Sequence, residues 1–118
     1  MNISFKNKYS LHDRYNDACK ILEKYPDRIP LICERSQIAS YDCPYIDKQK
    51  YLVQKDLTIG HFIYVIRKRM NLSPEKAIFL FINGFIPSSS QVLGNLYEYN
   101  RETDGFLYIN YSLENTFG

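Results

Sequence analysis

GFLYINYS, residues 105–112, reads as a strand close to the end of the chain. Alternation points Phe106 and Tyr108 one way and Leu107 and Ile109 the other. What this strand pairs with is decided by the elements before it. Working backwards, QVLGNLYEY (91–99) is a brief helical stretch with Ser90 as its cap. AIFLFINGFIP (77–87) holds six apolar residues, then Asn83-Gly84, then a second short apolar run, which is the signal of a two-residue hairpin. Thr58 caps IGHFIYVIRKRM (59–70), where Ile59, Phe62, Ile63, Ile66 and Met70 recur at helical spacing.

KYLV (50–53) is a short strand, reached by a polar connection from Arg35 to Gln49. RIPLICE (28–34) is strand-like, with Pro30 unable to donate to a ladder and therefore placed at a bulge or facing away from a partner strand. Leu11, Tyr15, Ala18, Leu22 and Tyr25 trace one face of a helix that Ser10 caps, with Asp13 in the capping-box position, and that Pro26 ends. The order is helix, strand, strand, helix, strand, strand, short helix, strand. The expected fold is α+β: a ubiquitin-like β-grasp with a four-stranded mixed sheet around one main helix, the last strand returning to the sheet's middle, and an additional N-terminal helical segment. Residues 1–26 would form that extension, residues 27–112 the β-grasp core and residues 113–118 a C-terminal tail.

The 118 residues, 45% apolar and 24% charged, suit one domain, and 15 basic against 13 acidic residues leave no strong field to recruit nucleic acid or an acidic bilayer. The one basic cluster, Arg67-Lys68-Arg69, reads as a solvated helix end complementing the helix dipole. Three cysteines, Cys19, Cys33 and Cys43, cannot all pair internally, and without a C-x-x-C they are expected to be reduced, buried thiols in a cytoplasmic protein. The longest apolar run, AIFLFI, is far too short for a membrane span. No metal and no cofactor is expected.

KYPDRIP, DKQKYLVQKDLTIGHF, RKRM, FINGFIP and DGFLYINYS, in this order and at nearly the same spacing, are similar to segments of the autophagy-related ubiquitin-like modifiers, the family of autophagy-related protein eight and the GABA-receptor-associated protein. The resemblance runs from about Phe5 to Gly118. It implies a monomeric substrate and not an enzyme. Such a protein is activated at a C-terminal glycine by an activating (E1-like) enzyme, passed to a conjugating (E2-like) enzyme, and joined to phosphatidylethanolamine of an autophagosome or other organelle membrane. A cysteine protease processes the precursor and reverses the linkage. Gly118 answers to the reactive glycine.

The family's ligands are extended peptides with an aromatic, two variable residues and then Leu, Ile or Val, often with acids upstream. A peptide pairing with the KYLV edge directs its two anchors to opposite sides. By positional match, Asp17, Ile21, Pro30, Ile32, Lys50, Leu52 and Phe106 would form an aromatic pocket. Tyr51, Val53, Leu57, Phe62 and Val65 would form an aliphatic one, and Arg28, Lys48 and Arg69 would meet ligand acids. Without the family, Ile32, Leu57, Phe62 and Phe106 read as core and the cations as solvated charges. Gln54 stands where the family commonly has proline, Val65 where Leu is common and Asp17 where Glu is usual, and two extra residues lie around DCPYI. The alternatives are a thiol enzyme using a cysteine with His12 or His61, a scaffold that is never conjugated, and the sister modifier joined to protein.

Overall fold

The computed structural model describes residues 2–113. Its elements are α1 (Phe5–Lys8), α2 (Leu11–Lys24), β1 (Arg28–Arg35), β2 (Lys50–Gln54), α3 (Ile59–Met70), β3 (Phe79–Phe81), α4 (Leu93–Asn100) and β4 (Leu107–Ser112). The strands form one sheet in the order β2-β1-β4-β3, with β1 and β4 parallel at the centre and the outer pairs antiparallel. This is the expected ubiquitin-like arrangement, with the last strand inside the sheet.

The central strands are covered on both faces, which is why RIPLICE and FLYI carry apolar residues at nearly every position. Ile29, Leu31, Cys33, Leu107, Ile109 and Tyr111 enter a main core with Ile59, Phe62 and Ile66 of α3 and Leu93, Leu96 and Tyr97 of α4. Ile32 and Phe106 face the other way, into a smaller core with Phe5 of α1 and Ala18 and Ile21 of α2. Pro30 fits the sheet by direction. The Cys33 amide donates to the Gln49 carbonyl and the Lys55 amide to that of Asp27, so the odd-numbered residues of β1 exchange bonds with β2. Pro30 lies opposite Leu52 with its nitrogen turned away from β2, and the ladder with β4 begins only at Leu31.

Local signals hold where the chain's own neighbours decide the geometry. Ser10 Oγ accepts the Asp13 amide at 3.1 Å, and Thr58 Oγ1 accepts that of His61 at 3.2 Å. Asn83 and Gly84, with φ of 50° and 84°, close the two-residue turn between Ile82 and Phe85. Gly105 is fixed twice over: its φ is 87°, and a Cβ there would stand 2.9 Å from that of Ala18, where α2 crosses the start of β4.

Four expectations are corrected. FIP does not form a strand; Phe85 makes one bridge to Ile82 and the chain then leaves the sheet. Ser90 does not cap α4, because Val92 is held extended by a bridge to Thr58 and the helix starts after it without a side-chain cap. The apolar face of α2 is shorter than its periodicity suggests: Ala18 and Ile21 are buried, but Leu11 and Tyr15 are exposed. In the first turns the residue that points inward is Arg14, whose guanidinium reaches Asp104. Finally, Cys19 is exposed, whereas Cys33 and Cys43 are buried, all three as free thiols.

Candidate functional site

Among the described residues, β2 has β1 on one side and no strand on the other. Because Tyr51 and Val53 exchange bonds with β1, the amides and carbonyls of Lys50 and Leu52 point outward along the open edge. An exposed edge of this kind can accept an extended segment from another chain. The faces on either side differ. Leu52 is half-buried against the Phe5–Ile21–Ile32–Phe106 cluster. Tyr51 and Val53 lie on the opposite face with Leu57, Phe62 and Ile63, and the Tyr51 and Phe62 rings meet edge to face at 5.5 Å.

On the α2 side, Asp17 and Lys50 are brought together as an ion pair of 2.9 Å, and both line a cleft of about 460 Å³ with Phe5, Tyr9, Asp13, Arg14 and Gln49. Ile21, Pro30, Ile32 and Phe106 lie beneath this surface, and Ile32 and Phe106 are fully buried. The cover over Phe106 is Phe5, whose ring stands edge-on at 5.1 Å. Phe5 is the residue the sequence reading missed. Its signal was Ser4, which caps the four-residue α1 by accepting the Asn7 amide, a stretch too short to show periodicity.

On the α3 side Phe62 is fully buried, Leu57 and Val53 are half-buried, and Val65 is exposed. The three cations differ in their surroundings. Arg28 rests on the Tyr25 ring at 5.5 Å and Lys48 over the Tyr51 ring at 5.1 Å. Arg69, by contrast, pairs with Asp47 at 2.8 Å. The loop that delivers Asp47 and Lys48 to this margin is pinned from below. Tyr111 Oη donates to the Pro44 carbonyl and accepts the Ile46 amide, each at 2.7 Å, and Arg35 donates to the carbonyls of Cys43 and Ser40. Gly118 lies outside the described residues.

The two buried thiols are not built for nucleophilic work. Burial pushes the Cys33 thiol far up, with the Glu34 charge adding to it, and burial raises Cys43 as well. His12 bonds to Asn16 and His61 to Thr58. Brief alkylation of the native protein is therefore expected to label Cys19, with Cys33 labelled only after unfolding, as peptide mass mapping would read. Rapid labelling of Cys33 in the folded state would contradict its burial.

Residues 13–118 match the family described as "Autophagy protein Atg8 ubiquitin like". The chain belongs to the Atg8 family. It is 52% identical to autophagy-related protein 8 of Mycosarcoma maydis, over 100% of this chain and 98% of that one. It is also 52% identical to autophagy-related protein 8 of Schizosaccharomyces pombe, over 100% and 96%. The crystal structure of Trypanosoma brucei ATG8 superposes with a TM-score of 0.87 at 38% identity, covering 95% of each chain. This chain is thus an Atg8-family ubiquitin-like protein of autophagy. Among the described residues no helix is long and apolar enough to cross a membrane.

Proposed function

We propose that this Atg8-family chain is a modifier whose Gly118 carboxylate becomes joined to the amine of phosphatidylethanolamine, and whose β2 edge captures aromatic-x-x-aliphatic peptides of receptors and adaptors. The observation that carries the reading is similarity to Atg8 relatives over the whole length together with an edge strand that, among the described residues, has no strand on its outer side and is flanked by two different apolar faces. In the conjugation, the carboxylate is adenylated with release of pyrophosphate, a cysteine thiolate of the activating enzyme displaces AMP, a thiolate of the conjugating enzyme takes over the acyl group, and the lipid amine displaces that thiolate. The chain is the substrate throughout and catalyses none of these steps. With a net charge of +2 it has little attraction of its own for a bilayer, and the two acyl chains supply it at about 0.8 kcal/mol per buried CH₂.

Incubating the protein with the family's activating and conjugating enzymes, ATP and phosphatidylethanolamine liposomes is expected to yield a product heavier by one phospholipid less one water, floating with the liposomes. Thioesters that form but transfer only to protein lysines would favour the protein-linked sister instead.

In the groove, Asp17, Ile21, Pro30, Ile32, Lys50, Leu52 and Phe106 serve the aromatic anchor, with Phe5 completing the floor. Tyr51, Val53, Leu57, Phe62 and Val65 serve the aliphatic one. Each buried anchor contributes about 1.5–3 kcal/mol before ordering costs, so two anchors and strand pairing correspond to roughly micromolar affinity, near −8 kcal/mol. Leu52→Ala removes a half-buried wall and is expected to weaken such a peptide by about tenfold to a hundredfold in a calorimetric titration. Unchanged affinity would move the peptide elsewhere.

A further inference from the structure

Of the three cations at the margin of the groove, two rest on aromatic faces and one already holds a carboxylate. Arg28 and Lys48 have no ion pair among the described residues, lying instead over Tyr25 and Tyr51. Arg69 is held in a fork: its Nε meets Asp47 Oδ1 at 2.8 Å and its Nη2 meets Asp47 Oδ2 at 3.5 Å. Arg69 comes from the last turn of α3, on the same face as Phe62 and one turn beyond Val65, and Asp47 lies three residues before β2 begins. Both charges act on Tyr51 at the wall of the aliphatic pocket. Burial raises its phenol most and Cys33 adds to this; Arg69 and Asp47 then pull it in opposite directions. The Tyr51 hydroxyl has no hydrogen-bond partner among the described residues, so it does not compete for either charge.

We infer that Asp47 is a specificity-determining counter-ion: it occupies Arg69 and so makes the groove insensitive to ligand acids at that corner while leaving it responsive to acids that reach Lys48 or Arg28. The inference rests on the groove reading above and names its charge selection. A ligand carboxylate at Lys48 or Arg28 gains an attraction that the free protein lacks. One at Arg69 replaces an existing partner and also approaches the Asp47 charge, so its net gain is small. Asp47 is 70% and Arg69 39% exposed in the side chain, which makes the pair exchangeable and its effect modest. Exposure also means that substitution at either position leaves the core intact.

The test is a double-mutant cycle by calorimetry at low ionic strength, with one aromatic-x-x-aliphatic peptide carrying Glu at both middle positions and a twin carrying Gln there. Asp47→Asn is expected to tighten the Glu peptide about two- to fivefold and to leave the Gln peptide unchanged. In the Arg69→Gln background the same substitution should give a clearly smaller gain, that of the relieved repulsion alone, because the cation it releases is gone. If Asp47→Asn tightens the Glu peptide equally without Arg69, the effect is a general loss of repulsion and the inference is overturned; it is overturned also if the substitution changes nothing. Failure of either peptide to bind the unmodified protein would be seen first, and would overturn the groove reading together with this one.

Discussion

Gly118→Ala is expected to abolish the lipid adduct in the reconstituted reaction, reducing it to the level found without ATP. In the proposed conjugation the carboxylate would be approached in turn by an adenylating centre, a thiolate, a second thiolate and an amine, each inside a channel that closes around the last residue. Glycine leaves the flanks of that carbonyl open, and a methyl group fills one of them. Five residues follow Leu113, ending with Gly118, and a segment of that length drawn out at about 3.3 Å per residue would reach roughly 17 Å, enough to thread an active site while the sheet stays outside. The unfolding midpoint should not move. If Gly118→Ala is lipidated at the unmodified rate, Gly118 is not the reacting residue.

The second large effect is on stability. Asp104→Ala is expected to cost about 3–5 kcal/mol in urea unfolding, because it leaves a mostly buried guanidinium without its charge partner. Asp104 is 1% exposed and accepts from Arg14 Nε at 2.9 Å, the Phe106 amide at 2.9 Å and Tyr108 Oη at 2.5 Å. Arg14 passes the connection on, donating to the carbonyls of Lys6 and Tyr9. One carboxylate thus ties both N-terminal helices to β4 and holds Ile21 and Phe5 over Phe106. Asp104→Asn keeps the shape and an acceptor oxygen and should cost less. A loss below about 1 kcal/mol for the alanine variant would show that apolar packing alone docks the helices.

Legibility followed the range of the interaction. The face of α3, the hairpin turn at Asn83-Gly84, the caps at Ser10 and Thr58 and the two-sided strand at residues 107–112 depend on residues a few positions apart, and each was visible as spacing. The order of elements then left few ways to close the sheet. What escaped depends on distant partners. Arg14 points inward because Asp104, ninety residues later, waits for it. The start of α4 is set by the bridge from Val92 to Thr58, not by the nearest serine.

The groove shows the same division. Alternation along KYLV separates Leu52 from Tyr51 and Val53, as the two cores require. That Phe5 would roof Phe106, and that Asp47 would claim Arg69, could not be read from any window of sequence, since both are made by loops and ends folding back. Residue assignments carried over from a family name the walls of a pocket; the charge state of its rim is a property of this chain.

The most direct test of the account is the intact mass of this protein recovered from membranes of the cells that make it. A species heavier by one phosphatidylethanolamine less one water, with the lipid mapped to the Gly118 carboxyl, is the expected result. Membrane-bound protein carrying no lipid, or carrying it at any other residue, would contradict the central claim.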